Sequence, residues 1–167
     1  VDLPIETLNG MNESGGTFTL WAYANWSNLE DNEVRLINSE HSSGGDYEFR
    51  TYYNDRINLG IANGTGFKFS SSFPNLDAED YNNQWFLLNY KWEYNETADE
   101  TTIYAGHNGE WLQSQILVGK AVMPDLYFRL ATWSGKFFNG SIDEVRIYNR
   151  SLDETEISEI YNSGLKR

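Results

Sequence analysis

The fold of this chain is decided by one stretch near its C-terminus, Phe137-Phe138-Asn139-Gly140-Ser141-Ile142-Asp143-Glu144-Val145-Arg146-Ile147-Tyr148-Asn149-Arg150-Ser151-Leu152. Its Asn-Gly pair predicts a tight turn that leads into a strand. Val145 and Ile147 then alternate with charged and polar residues, which is the period of a half-buried strand. Glu144 and Arg146 fall on one face, where we expect them to form an ion pair rather than two lone charges.

A short helix is predicted directly after this strand. Asp153 followed by Glu156 is a capping-box pattern. Gly164 is a suitable stop for the helix. The apolar positions follow at helical spacing and are expected to dock on the sheet: Ile157, Ile160 and Tyr161.

The quoted pattern, with the E-I-x-x-I-Y segment behind it, resembles the laminin G-like (concanavalin A-like jelly-roll) domain family. Two other segments are similar to the family pattern. Residues 17–24 look like its F-T-x-x-A-W-V strand, with Tyr23 at the tryptophan position, and residues 84–92 look like its Q-W-x-x-V-x-x-x-Y strand. The resemblance covers essentially the whole chain and implies one laminin G-like β-sandwich domain over residues 1–167.

The residue pattern supports the same class of fold. Aromatic residues make up 16% of the chain, and Tyr and Trp favour pleated, half-buried surfaces. We count about ten strands at short, even spacing. They include a hairpin across Asn54-Asp55 and a second hairpin with a turn near Asn108-Gly109, and loops are expected over residues 70–81 and 133–136. Both faces of 17–24 are apolar, which predicts a central strand covered on both sides. The fold class expected is all-β: a two-sheet antiparallel jelly-roll sandwich with a short C-terminal helix.

Charge and composition exclude several classes of partner. The formal net charge is -13, which argues against nucleic acid and against anionic membranes. No apolar run approaches the roughly 20 residues of a membrane span, so no membrane insertion is expected. The chain has no Cys, hence no disulfide or thiol chemistry. The acidic surplus leaves three explanations open: solubility, adaptation to salt, or Ca²⁺ binding.

Catalytic residues are scarce in the sequence. His41 and His107 lie in separate turn-like segments, where solvated histidines are expected. Glycosidases need two carboxylates that flank one bond, whereas Asp143 and Glu144 are adjacent and should leave opposite faces of a strand. The sequence therefore predicts a protein that is not an enzyme.

The family resemblance implies Ca²⁺ as a candidate cofactor, because members commonly hold this ion near the sheet rim. Asp143 matches the Asp of the I-D-E-V motif, and Glu13 is a second candidate ligand in a loop. Calcium prefers such carboxylate oxygens. The alternative is that Asp143 caps its own turn.

Six Asn-x-Ser/Thr sequons occur in the chain. They are surface glycosylation sites if the source organism modifies Asn. Those at Asn139 and Asn149 belong to the family motif and carry less information. The candidates for glycosylation are Asn95, Asn63, Asn25 and Asn12.

The aromatic residues fall into two groups. Trp21, Tyr23, Trp85 and Tyr90 lie in strong strand patterns and are predicted to be core. A second group lies in loops among polar residues, where aromatic rings can stack on a sugar or anchor a protein and neighbouring polar groups can bond hydroxyls. The predicted ligand-binding rim consists of Trp26, Asn25, Asn28, Asp31, Trp133 and Phe137.

These observations lead to two functional hypotheses, both at an extracellular or cell-surface location. The first is a binding or adhesion module that recognises a glycan or surface glycoprotein through rim loops. The second is a structural subunit or decoration of a surface filament, sheath or virion, with self-association. An N-terminal strand that pairs with a neighbour's sheet edge would favour the second.

Overall fold

The structure is a computed structural model that describes residues 2–3, 12–25, 34–40, 46–52, 56–62, 68–77, 81–123, 125, 127–133 and 136–164. Within these ranges the chain forms thirteen strands and one helix. Their bounds are β1 Asp2–Leu3, β2 Gly15–Ala24, β3 Val34–Glu40, β4 Asp46–Tyr52, β5 Arg56–Ala62, β6 Lys68–Asp77, β7 Trp85–Asn95, β8 Glu100–His107, β9 Glu110–Val118, β10 Tyr127–Leu130, β11 Thr132–Trp133, β12 Lys136–Phe137, β13 Gly140–Tyr148 and α1 Glu154–Gly164.

Two antiparallel sheets make up the body of the protein. The first has six strands in the order β1-β10-β3-β4-β5-β6, and the second has five in the order β13-β2-β7-β8-β9. β11 and β12 form a separate two-stranded hairpin. The predicted fold class, an antiparallel sandwich with one short C-terminal helix, is confirmed.

The main core lies between the two sheets. Phe18 of β2 stacks on Phe128 of β10 with 5.5 Å between ring centroids, and neither side chain exposes more than 2% of its surface. The same cluster includes Leu20 and Phe86 from the five-stranded sheet and Ile61 from the six-stranded sheet. Because β2 pairs with β13 on one side and β7 on the other, the predicted central position of residues 17–24 is confirmed.

The helix covers the outer face of the five-stranded sheet. Ile157 and Ile160 pack with Trp21 and Leu87 in a second, smaller cluster, and the Tyr161 ring stacks on the Trp21 indole at 5.6 Å. The docking predicted from the helical spacing is therefore confirmed, and it explains why β2 is apolar on both faces.

Two sets of hydrogen bonds fix the start of the helix. Asp153 accepts a bond from the Glu156 amide at 2.9 Å, and the Glu156 carboxylate accepts one from the Asp153 amide at 3.1 Å, which is the predicted capping box. One turn earlier, the buried Thr17 hydroxyl donates to the Arg150 carbonyl and accepts from the Leu152 amide, both at 2.9 Å. The helix is thereby tied to β2 before it begins.

A β-bulge interrupts β13 between Asp143 and Arg146. Glu144 has a φ of 47° there, and the extra residue lets Ile142 and Val145, three positions apart, pack against the same core. The sequence pattern did not predict this bulge. The predicted ion pair is present, because Arg146 Nη2 donates to Glu144 Oε2 at 2.9 Å.

Two segments expected to be loops are strands. Residues 70–81 were expected to form a loop, but β6 occupies 68–77 and pairs with β5. β6 is the outermost strand of its sheet, a position that tolerates its serines and Pro74 because one side needs no ladder bonds. Residues 133–136 were also expected to be a loop, but Trp133 and Lys136 pair across the β11–β12 hairpin.

The hairpins predicted between β4 and β5 and between β8 and β9 are present as paired strands. Asn108 and Gly109 turn the second one with φ angles of 51° and 85°, the positive values that an Asn-Gly turn supplies. In the part of the chain that the structure describes, no helix has the length and apolar character needed to cross a membrane.

Candidate functional site

Asn25, one of the predicted rim residues, lies at one end of the five-stranded sheet. β2 ends and β13 begins there, and the Asn25 amide donates to the Asn139 carbonyl at 2.9 Å. The Asn83 amide donates to the Ala24 carbonyl at 2.7 Å and joins the segment before β7 to the same point. Gly140 has to be glycine here, since a Cβ would lie 2.0 Å from the Tyr23 carbonyl oxygen. We call this end of the sheet the rim.

The β11–β12 hairpin leaves the six-stranded sheet next to the rim. Ala131 has a φ of 62°, which is uncommon for a residue with a side chain. Its amide donates to the Leu36 carbonyl at 2.9 Å, and its carbonyl accepts from the Phe138 amide at 3.0 Å, so the base of the hairpin is closed on both sides. Asn139 follows immediately. Asn139, two positions after Phe137, is therefore hydrogen-bonded to Asn25, the residue directly before Trp26.

Trp133 and Phe137 were expected in a loop, and both are strand residues of this hairpin. Thr132 pairs with Phe137 and Trp133 pairs with Lys136, so the two aromatic residues are neighbours in the hairpin but not cross-strand partners. Trp26, Asn28 and Asp31 lie outside the described residues. Of the predicted ligand-binding set, Asn25 is thus described in full and stands at the base of the rim, partly exposed.

Trp85 is a rim residue that the sequence analysis placed in the core. It is the first residue of β7 and leaves 48% of its surface exposed. It is the cross-strand partner of Tyr23, and their rings tilt against each other with 5.7 Å between centroids. The polar residues just before it, Asn83 and Gln84, were the signal that the strand begins at its edge. Tyr23 and Trp85 form an open aromatic surface on the outer face.

A half-buried histidine lies at the same end of the sheet. His107 ends β8, and its Nδ1 is 3.3 Å from the Tyr81 hydroxyl, which precedes the bridge from Asn82 to Ala24. Burial lowers the pKa of His107 although Glu110 opposes the change, so the half-buried position favours the neutral imidazole. The expectation of a solvated turn histidine is wrong for His107. His41 lies outside the described residues.

The two predicted metal ligands are far apart. Asp143 is the cross-strand partner of Trp21, which lies six positions after Gly15, the first residue of β2. Glu13 lies before Gly15, beyond the other end of the same strand. At about 3.3 Å per strand residue the separation is roughly 20 Å, so the pair does not fit one Ca²⁺, whose ligands lie about 2.5 Å from the ion. Asp143 caps the bulge by accepting from the Glu144 amide at 2.8 Å, and Glu13 pairs with Lys120 at 3.4 Å. Calcium binding through Asp143 stays a prediction.

Acidic and histidine side chains do not gather into a metal-binding group of three or more among the residues described. A compact charged cluster does occur on the outer face, where Lys91 Nζ lies 2.9 Å from Glu93 and over the rings of Tyr104 and Trp111 at 4.5 and 5.2 Å. Partial burial acts to raise the pKa of Glu93, but hydrogen bonds from Lys91 and Ser151 outweigh it and the net shift is downward. The carboxylate of Glu93 is thus paired with neighbouring groups of the same chain.

The outer face also has a shallow groove of about 340 Å³ between α1 and β13. Arg150 holds Glu156 there with two hydrogen bonds of 2.8 and 2.5 Å, so both charges are matched within the chain. The groove is lined by Tyr148, Arg150, Leu152, Glu156, Glu159, Ile160 and Ser163.

Two of the glycosylation candidates are exposed. Asn95 ends β7, and its side-chain oxygen accepts from the amides of Thr97 and Ala98 at 3.0 and 3.2 Å. Asn12 is also exposed, Asn25 is partly exposed, and Asn63 lies outside the described residues. Glycosylation stays a prediction for all four.

Comparison with known proteins connects this geometry to one superfamily. A laminin G family described as the "Concanavalin A-like lectin/glucanases superfamily" matches residues 2–158. No curated protein sequence matches the chain.

Solved structures with the same fold include receptor-binding domains of bacterial toxins. The binding domain of botulinum neurotoxin serotype D superposes with a TM-score of 0.68 at 19% identity, over 100% of this chain and 40% of that one. The binding domain of botulinum neurotoxin DC in complex with rat synaptotagmin II gives 0.65 at 13% identity, over 98% and 39%. A structure of botulinum neurotoxin type C, whose cell entry depends on interaction with two ganglioside molecules, gives 0.64 at 16% identity, over 98% and 39%. The chain thus spans about two fifths of the length of these neighbours, and the likeness shows a shared fold.

Proposed function

Because the chain belongs to the concanavalin A-like lectin/glucanases superfamily, we propose that it is an extracellular binding or adhesion module without catalytic activity. Its ligand is a glycan or glycoprotein on a surface. The observation that carries this proposal is the open Tyr23–Trp85 aromatic surface at the rim, beside Asn25 and Asn139. Aromatic rings stack on the apolar face of a sugar, and amide side chains bond its hydroxyl groups.

The charge of the protein restricts the ligand further. With a net charge of -13, a polyanionic glycan would be repelled, so a neutral or weakly charged glycan fits best. Trp26, Asn28, Asp31, Trp133 and Phe137 complete the proposed rim, since the segments that contain them start within a few residues of the Asn25–Asn139 hydrogen bond. The toxin neighbours support recognition of gangliosides or surface proteins only by analogy of fold.

The expected affinity is weak. One stacked aromatic contributes on the order of 1 kcal/mol, so a single rim should bind with a Kd of about 1 mM. Useful adhesion then needs many copies on one surface.

The test is a glycan array that includes gangliosides, probed with the chain displayed on a multivalent carrier. Trp85→Ala, Trp26→Ala and Trp133→Ala should each lower the signal several-fold while the protein stays folded. Tyr94→Ala is the matched control, because Tyr94 lies at the opposite end of β7, where its hydroxyl donates to Asp99 and Lys120 lies over its ring. Absence of binding by the wild-type chain, or equal binding by the rim variants, refutes the proposal.

The second candidate function, a structural subunit of a surface assembly, receives no support from the N-terminal strand. β1 pairs with β10 of the same chain, with Asp2 opposite Arg129, so these two residues are already part of this chain's own sheet.

A further inference from the structure

The rim contains an asparagine-glycine pair whose two residues are both exposed, Asn139 and Gly140. The main-chain carbonyl of Asn139 accepts from the Asn25 amide at 2.9 Å, but its side chain has no hydrogen bond to the residues that the structure describes. Asparagine is among the residues that degrade most readily in proteins. A glycine that follows it leaves its own amide nitrogen unhindered, because glycine has no side chain. The pair is therefore open to chemical change.

The fold itself requires this glycine. A Cβ at Gly140 would lie 2.0 Å from the Tyr23 carbonyl oxygen and 2.8 Å from Cε1 of the Phe138 ring. Both contacts are far shorter than van der Waals distance, and the first is with main chain that cannot move aside without disturbing β2. The residue that makes Asn139 reactive is thus fixed by the packing of the rim.

The register of β13 leaves the Gly140 amide available. Gly140 is the cross-strand partner of Ala24. Because the Asn25 amide donates to the Asn139 carbonyl, the bonds of this antiparallel ladder flank the Gly140–Ala24 pair, and the amide of Gly140 points away from β2. β13 is the outermost strand on that side of its sheet. The Gly140 amide therefore faces the open edge, where solvent can remove its proton.

The same hydrogen bond favours the deprotonated form of that amide. When the Gly140 nitrogen loses its proton, the negative charge is shared with the carbonyl oxygen of Asn139 across the peptide bond. That oxygen already accepts from the Asn25 amide, and a hydrogen bond becomes stronger when its acceptor gains charge. A bond that stabilises the charged form makes it more abundant. The rim thus stabilises the nucleophile that would attack the Asn139 side chain.

We propose that Asn139 is a site of spontaneous deamidation, with water as the only co-reactant. Hydroxide removes the Gly140 amide proton, and the nitrogen attacks Cγ of Asn139. The N–Cγ bond forms, the Cγ–Nδ2 bond breaks, and ammonia leaves with a proton from water. A second water opens the resulting succinimide to aspartate or isoaspartate. Each event adds one negative charge to the rim and destroys the Asn-x-Ser sequon at Asn139.

Asn108-Gly109 provides a control with the same two residue types inside the chain. The side-chain oxygen of Asn108 accepts from the Leu87 amide at 3.0 Å. Gly109 is buried against α1, where its Cβ position lies 2.9 Å from Tyr161 and 3.2 Å from Ser158. Attack at Asn108 would require this hydrogen bond to break and a buried amide to meet solvent. The fold should therefore protect Asn108 and not Asn139.

Peptide mapping of the wild-type chain by mass spectrometry tests the proposal without any ligand. Trypsin releases residues 137–146, in which Asn139 is the one asparagine, and residues 92–120, which carry Asn108. In the folded chain Asn139 should deamidate at least about tenfold faster than Asn108, because Asn108 must first lose its hydrogen bond and its cover. In urea the two rates should agree within about threefold, since only the shared local sequence then matters. Both should rise about tenfold from pH 7 to pH 8, with the deprotonated fraction of the amide.

Asn139→Gln is the control variant, because attack on the longer side chain must close a larger ring and is slower. Its 137–146 peptide should stay unmodified while the 92–120 peptide behaves as in wild type, and thermal melting checks that the variant is folded. The proposal is overturned if Asn139 in the folded chain reacts no faster than Asn108. It is also overturned if folding slows the reaction of Asn139 by about tenfold or more relative to urea, because the rim then protects the residue.

Discussion

Substituting two threonines of β2 would measure how much a buried hydroxyl contributes to stability when it is hydrogen-bonded and when it is not. Thr17 and Thr19 are both buried on the outer face of β2, with 0% and 1% of their surface exposed. Thr17 holds the Arg150 carbonyl and the Leu152 amide. The Thr19 hydroxyl has no hydrogen-bond partner among the residues that the structure describes. Valine has nearly the same shape and a high strand propensity, so Thr→Val changes little besides the hydroxyl.

The expected effects have opposite directions. Thr17→Val leaves the buried Leu152 amide without an acceptor, which costs about 1–3 kcal/mol, while the carbonyl of the exposed Arg150 can turn to water. Thr19→Val removes a desolvated hydroxyl that gains nothing from folding, so its effect should lie between neutral and about 1 kcal/mol of stabilisation. In a chain of this size 1 kcal/mol shifts Tm by roughly 2–4 °C.

Urea unfolding followed by tryptophan fluorescence, with thermal melts by circular dichroism, measures both variants against wild type. Thr17→Val should unfold several degrees lower than Thr19→Val, and the m-value should stay unchanged because the same surface is exposed on unfolding. If Thr19→Val loses as much as Thr17→Val, its hydroxyl is bonded in solution. The reasoning from the two bonding patterns is then refuted.

Three further predictions concern the capping box, a glycine contact and calcium. The hydrogen bond from Arg150 lowers the pKa of Glu156 from its ordinary 4.5 to about 2. The contribution of Glu156 to stability is therefore complete above pH 4.5 and is lost as the pH falls through about 2. Glu156→Gln should lower Tm at pH 7 but not near pH 2, whereas the control Glu154→Gln should show no such difference; an equal loss of Tm at both pH values contradicts this. Gly106→Ala should destabilise the protein by about 3 kcal/mol or abolish folding, because the Cβ of the new alanine would lie 1.8 Å from the Glu110 carbonyl oxygen. If the variant unfolds at the same urea concentration as wild type, this steric argument is wrong. If Ca²⁺ binds through Asp143, a free Ca²⁺ concentration 100-fold above the Kd should stabilise the chain by about 2.7 kcal/mol, and Asp143→Asn should remove this stabilisation. Identical melting curves in Ca²⁺ and in EDTA, with no metal found by elemental analysis, exclude calcium binding.

The elements predicted correctly from the sequence are those whose signals are local. The capping box needs only Asp153 and Glu156 at the right spacing, and both of its hydrogen bonds are present. The two apolar faces of β2 predicted a covered central strand, because each face independently shows the two-residue period. The Asn108-Gly109 turn follows from the backbone freedom of those two residue types.

The elements that were missed depend on pairing with distant residues. β6 is rich in serine and contains proline, so its sequence lacks the apolar alternation of a strand. It is a strand because its backbone pairs with that of β5. The bulge in β13 depends on a register with β2, more than a hundred residues earlier in the chain. The β11–β12 hairpin depends on Ala131 taking a positive φ, a conformation that glycine or asparagine would have signalled and alanine does not.

The misplacement of Trp85 has a different cause, which also accounts for the position of the candidate site. Trp21 and Trp85 lie on the same outer face in neighbouring rows of the sheet, where Trp21 pairs with Leu87 and Tyr23 pairs with Trp85. The sequence pattern assigns both tryptophans to a buried face. The helix distinguishes them, because it covers the first row and the described helix ends at Gly164.

The last residue of the helix, Gly164, packs directly against Trp21 of the sheet. A Cβ on Gly164 would lie 2.5 Å from Cζ2 of Trp21, so the last helical residue lies directly against that indole, which is 6% exposed. Trp85, one row further along the sheet, remains 48% exposed. The length of α1, set by its cap at Asp153 and its end at Gly164, therefore decides which aromatic row becomes core and which is left open at the rim. Periodicity along a strand gives the face of a residue, but the extent of a covering element comes from elsewhere in the chain.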